Sequence, residues 1–171
     1  MDIAALLVDA FGRVREETHD VLDGASSAVL TYRPDADANT IAWLVWHLTR
    51  IQDDHVAHVA GVDQQWLDGG WHDRFGLPFP PGATGYGHSC DEVAAVDVDG
   101  SLLLGYFDAV DAQTIRYVRE VRAEDLDRIV DRRWDPPVSL GVRLVSVIAD
   151  DLEHVGQAAY VRGVAERAGI S

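Results

Sequence analysis

Apolar residues recur at helical spacing along four long segments of this chain, and no comparable run alternates with the two-residue period of a strand. The first segment runs from about Asp2 to Leu22. Ile3, Leu6, Leu7, Ala10, Phe11, Val14 and Val21 share one side of it, with Arg13, Arg15, Glu16 and Glu17 on the other. Asp23-Gly24 ends it, and the polar stretch Arg33 to Asn39 reads as loop. The second helix follows Asn39 or Thr40, either of which can cap it, and stops at Gly61 after Ala60. The third runs from about Ser101 to Arg122 on Leu103, Tyr106, Phe107, Val110, Tyr117, Val118 and Val121. The fourth starts at a Ser139 cap and reaches about Ala168, where Gly169 stops it. At 171 residues, 47% of them hydrophobic, the chain suits one domain spanning residues 1–171. The pattern predicts an all-α four-helix bundle with a long crossover between helices two and three.

That crossover breaks the helical pattern from Val62 to Val98. Val62 to Leu67 reads as a short helix, and Gly69-Gly70, Gly76, Pro78, Pro80-Pro81-Gly82 and Gly85 punctuate the rest. A connection this long in a compact domain is usually functional or disordered. This one carries Trp66, Trp71, Phe75, Phe79 and Tyr86, too much aromatic surface for a free linker, so it is expected to pack across one end of the bundle. Ala123 to Ile129 reads as a further helical turn, and Trp134-Asp135-Pro136-Pro137 as a rigid connector, with room for a short hairpin.

Charge and cysteine content narrow the function classes. The net charge is −15, and all 14 basic residues are arginines. Such acidity repels phosphate backbones and anionic lipid surfaces, so neither nucleic acid nor membrane is expected as a partner. No apolar run approaches the roughly 20 residues that span a bilayer. The N-terminus Met1-Asp2-Ile3-Ala4-Ala5 has no basic stretch or cleavage site, and Cys90 stands alone, which together predict a cytoplasmic protein. Cys90 reads as an incidental loop residue.

The residues that carry chemistry lie in helices two and four. Trp43-Leu44-Val45-Trp46-His47-Leu48 puts a histidine in a strongly apolar helix. Asp150-Asp151-Leu152-Glu153-His154 puts a carboxylate and an imidazole four residues apart, on one helical face. His47, Asp150 and His154 facing inward would hold a divalent metal with coordination positions open. The competing reading is structural. His47 is then a core imidazole, and Asp150 is neutralised by His154 or Arg143, since a buried carboxylate needs a partner. Asp151, three residues before His154, competes with Asp150 as the carboxylate, whereas Glu153 points to solvent. His55 and His58 follow His47 by two and three turns and approach the lower edge of such a site; His19 and His72 read as surface residues. His88 lies in the glycine-flanked loop Thr84-Gly85-Tyr86-Gly87-His88-Ser89, which can fold over a site. No phosphate-cradling loop and no nucleophile elbow is present.

With these motifs the chain resembles the DinB-like metalloenzyme superfamily. The segment Trp43 to Leu48 and the run Asp150-Asp151-Leu152-Glu153-His154-Val155-Gly156-Gln157-Ala158 carry the likeness, which extends over the helix order and the long crossover. Within the superfamily it looks like the actinobacterial branch of mycothiol-dependent maleylpyruvate isomerase and mycothiol S-transferases. The resemblance implies a divalent ion, zinc foremost, on His47, Asp150 and His154. Asp150 stands where the isomerase has a glutamate, one methylene longer. It implies a thiol S-transferase of the detoxification type, with mycothiol as co-substrate activated by the metal for attack on a small electrophile. The alternatives are a metal-dependent hydrolase on the same site and an inactive ligand-binding or interaction bundle. Trp43, Asp54, Trp71, Phe75, Tyr86, His88 and Arg162 are the candidates for substrate contact, the crossover aromatics by excluding water from the pocket. Arg162 falls where relatives place an arginine, for structure or for the thiol. Relatives are often dimeric, with helix one or three available for the interface.

Overall fold

The computed structural model describes every residue from Met1 to Ser171. Four long helices form the bundle: α1 (Ile3–Leu22), α3 (Ile41–Ala60), α7 (Gly100–Val118) and α8 (Leu140–Arg167). Short helices α2 (Ser27–Leu30), α4 (Gln65–Asp68), α5 (Trp71–Phe75) and α6 (Cys90–Ala94) fill the connections. This is the all-α bundle with a long second crossover that the helical periodicity predicts. The side chains of Asp2, Thr40 and Ser139 accept hydrogen bonds from Ala5, Trp43 and Val142, so the starts of three of the long helices lie where capping chemistry puts them. Gly61 closes α3 in the left-handed conformation, φ 69°.

Three elements differ from expectation, the first being the short helix read over Val62 to Leu67, which spans Gln65–Asp68. The third long helix ends at Val118, four residues early, because Glu120 and Val121 make only the tighter bonds to Tyr117 and Val118. Instead of a helical turn through Ile129, a 3₁₀ turn at Ala123–Asp125 leads into β1 (Ile129–Asp131). That strand pairs antiparallel with β2 (Val138–Ser139) to form a hairpin whose connection is the Trp134–Pro137 segment.

α3 is the centre of the molecule. Every residue from Ile41 to Arg50 is buried, because α7 and α8 flank it and the crossover covers what they leave. Trp66, Trp71 and Phe75 of the crossover pack on Tyr106 of α7, with ring centroids 5.2–5.7 Å away. Phe79 packs on Trp46. A buried polar network ties this layer down. Arg50, fully buried, donates to Gln64 Oε1 (3.0 Å), to Tyr106 Oη (3.2 Å) and to the Ala83 carbonyl (3.1 Å). Asp53 accepts from the backbone of Gln65 (2.9 Å) and Trp66 (2.8 Å) and from Tyr106 Oη (2.8 Å). Burial pushes the Asp53 carboxyl upward against these hydrogen bonds and the Arg50 charge. Arg50 and Asp53 therefore hold the crossover to α3 at two of its points, Gln64–Trp66 and Ala83, and Ala83 lies one residue before Thr84.

Candidate metal centre

α3 and α8 bring His47, Asp150 and His154 together, with one potential ligand atom from each lying within 4.8 Å of the other two. His47 and His154 meet edge to face, ring centroids 4.8 Å apart. Trp43, one turn before His47, stacks on its imidazole at 4.7 Å and 12°, and meets the His154 ring edge-on. The apolar motif around His47 thus serves as a wall that fixes ring orientation.

Hydrogen bonds decide which nitrogen each imidazole offers. The Thr84 carbonyl accepts from His47 Nδ1–H, and Gln157 Oε1 accepts from His154 Nδ1–H at 3.1 Å. Both rings are left with a bare Nε2, the arrangement in which an outer oxygen acceptor sets the tautomer and orientation of a metal-ligating histidine. Burial holds His47 below the ordinary histidine range; the Thr84 carbonyl works against this and His154 adds to it. The imidazole is accordingly neutral near pH 7, as a ligand must be.

Asp150 is the third donor. Its Oδ1 lies 3.7 Å from His154 Nε2, too long for a hydrogen bond. Ligands on a tetrahedral ion with bonds of about 2.0–2.1 Å stand roughly 3.3 Å apart, so this pair needs only a small contraction and the set, within 4.8 Å, must draw together around a cation. Asp150 Oδ2 is buried with no partner. Of the two structural partners for Asp150, Arg143 is taken up by Asp131 (3.1 Å) and His55 (3.2 Å), whereas His154 stands at ion-pair distance and leaves Oδ2 free. An unpartnered carboxylate oxygen beside two lone pairs is a donor set awaiting a cation. Two imidazoles and one carboxylate suit zinc and iron(II) alike. Asp151 is not part of this set; it points into the bundle core and is completely buried.

The other candidates are distributed unevenly. His88 joins the wall: its Nδ1 accepts from Trp43 Nε1 at 3.2 Å, and its ring packs on Trp46 and Phe79. Asp54 accepts from Gln64 Nε2 (2.8 Å) and, with His55, His58, Asp131 and Arg143, lines a cavity of about 960 Å³. That cavity lies between the end of α3, α4 and the β1 segment, beginning two turns beyond His47, and does not include the three ligands. Trp71 and Phe75 lie in the core against Tyr106 and do not line the site, since apolar burial against α7 claims them first. Tyr86 is 93% exposed and turned to solvent. Arg162 donates to the Asp20 and Val21 carbonyls and to Glu166, closing the end of α1. Its role is structural. His19 pairs with Asp108 at 2.8 Å, and Cys90 is exposed at the start of α6.

The roles of Thr84, Gly85, Gln157 and Arg50 escape a reading of the sequence. Thr84 acts through its backbone carbonyl, Gly85 through a missing side chain, Gln157 through a neutral amide and Arg50 through a guanidinium buried beneath the loop. Only the glycine-flanked loop hinted at the first two.

A helical bundle carrying an open His–Asp–His ligand set between its second and fourth long helices defines a metal-associated class of proteins. A family model described as the DinB superfamily matches residues 10–158, and the chain belongs to that superfamily. A solved structure, that of a conserved protein from Enterococcus faecalis, is 32% identical and superposes with a TM-score of 0.87 over 95% of this chain and 96% of that one. No protein of curated function matches the chain in sequence. No helix is long and apolar enough to cross a membrane.

Proposed function

We propose that the chain is a metal-dependent thiol S-transferase, with His47, Asp150 and His154 holding the ion. The observation that carries the ligand assignment is the pair of Nδ1–H bonds, to the Thr84 carbonyl and Gln157 Oε1, which leave both Nε2 atoms beside an unpartnered carboxylate oxygen. A bound divalent ion supplies Lewis acidity, lowering the pKa of a thiol or water that joins it. Three protein ligands leave a position for that group. The remaining work falls to this chain. Trp43 and Trp46 keep one side of the site dry, and Gly85 brings backbone rather than side chain against His47. His88, with Nδ1 occupied as an acceptor, carries its proton on Nε2 and is a candidate donor to an anionic group developing on the electrophile.

The likeness of Trp43–Leu48 and Asp150–Ala158 to mycothiol-dependent enzymes supports mycothiol as the thiol and zinc as the ion. The chain's single cysteine, exposed on α6, fits a reaction whose sulfur nucleophile comes from a small molecule. The second reading is a hydrolase on the same ligands, favoured by the exposure of Asp150, whose side chain is 32% accessible and admits water.

The test pairs elemental analysis with conjugation assays across several thiols and electrophiles. Stoichiometric metal, lost in His47→Ala and His154→Ala, with conjugation that requires added mycothiol, is the expected result. Turnover that ignores added thiol selects the hydrolase. Metal content unchanged in both variants overturns the ligand assignment.

A further inference from the structure

The apolar core of the bundle is in two pieces. Leu48, Val110 and Val155 belong to the larger, and Val56, Val118 and Val147 to the smaller. Between them, α3 contributes Gln52, α7 contributes Asp111 and Thr114, and α8 contributes Asp151, all buried, with Thr18 of α1 alongside. A polar layer crosses the middle of a bundle that is otherwise sealed by aliphatic side chains.

The layer is rich in oxygen and poor in partners. Both carboxylate oxygens of Asp151, Asp111 Oδ1, Gln52 Oε1 and Thr18 Oγ1 are buried without a hydrogen-bond partner. The one internal bond, Gln52 Nε2 to Thr114 Oγ1 at 2.8 Å, spends the amide's donor and turns its oxygen loose. Arg15, half exposed, lies at the edge of the layer, its Nε 3.6 Å from the outer oxygen of Asp111, with His19 further along α1. Buried unpaired acceptors of this number are found where water or an ion belongs. Two carboxylates and an amide oxygen, with no nitrogen donor or sulfur, match the preference of hard divalent cations.

We propose that this layer is a second cation site, separate from the imidazole centre, in which Asp151, Asp111 and the Gln52 amide oxygen hold a hard divalent ion of the calcium or magnesium type.

The test uses full-length protein stripped with chelator and carrying His47→Ala, so that the first centre is disabled whether or not its own assignment is right. Calcium or magnesium at about 100 times its Kd is expected to raise Tm by roughly 5–10 °C. Terbium is expected to show tryptophan-sensitised luminescence at one ion per chain. Adding Asp151→Asn removes both responses, with Asp111→Asn as the alternative if that protein does not fold. Crystals soaked in terbium would place an anomalous peak between Asp111 and Asp151. A Tm and luminescence indifferent to all three ions, or density for internal water only, overturns the proposal.

Discussion

Gly85 lies so close to His47 that a Cβ built on it would stand 2.7 Å from the imidazole Nδ1, and its φ of +98° is one that side-chain-bearing residues rarely adopt. The contact explains why this loop carries a glycine next to Thr84. The chain must bring a carbonyl onto Nδ1 from a direction that leaves no room for a side chain. Gly85→Ala is therefore expected to displace the carbonyl that orients His47, and to cost about 10–100-fold in metal affinity. Competition with a chromogenic chelator measures it, and circular dichroism unchanged from wild type shows that the bundle persists.

Arg50 ties the same loop to the core. Replacing it with methionine leaves the buried Asp53 carboxylate without its cation and frees the Ala83 carbonyl. Removing one partner of a buried ion pair costs about 3–5 kcal/mol. Denaturant unfolding of Arg50→Met should show that loss. Metal affinity should fall as well, because Ala83 and the carbonyl on His47 are consecutive.

Acid should empty the metal centre. His47 must be neutral to bind, and burial already holds its pKa below the ordinary value near 6.5. Its part in binding is thus complete above pH 6.5 and is lost as pH falls through the lower, folded value. Affinity is expected to be flat from about pH 7 upward and to fall below it, with protons taken up as metal leaves. Isothermal titration calorimetry in buffers of different ionisation enthalpy counts those protons.

Asp111 gives stability the opposite dependence. Burial raises its carboxyl to about 6 against the pull of Arg15. A raised acid contributes stability that is complete below the unfolded value, about 3.9, and is lost as pH rises through the folded one. Chelator-treated protein should lose on the order of 2 kcal/mol from this group between pH 4 and pH 7. Asp111→Asn should abolish that slope in urea unfolding measured at each pH.

Gln157 is the least costly member of the centre to change. Gln157→Leu removes the acceptor on His154 Nδ1 at an exposed position. Stability should move by less than about 0.5 kcal/mol, while metal affinity drops about tenfold. Equal losses in both would assign Gln157 a structural role.

The sequence by itself determined the four helices, their caps, the long crossover and the identity of two imidazoles and a carboxylate, since periodicity and spacing are local properties written in neighbouring residues. It left Asp150 and Asp151 as rivals, because adjacent residues on a helix differ by about 100° of rotation and only packing decides which faces α3 and which faces the core. Trp71 and Phe75 looked like pocket residues for the same reason: aromatic side chains in a loop serve core and site alike until a surface such as that of Tyr106 claims them. Tertiary structure alone chose the Thr84 carbonyl, the close approach of Gly85, the Arg50 network and the polar layer through the core. Each is a meeting of atoms distant in the chain, and several belong to the backbone, whose chemistry is the same at every position.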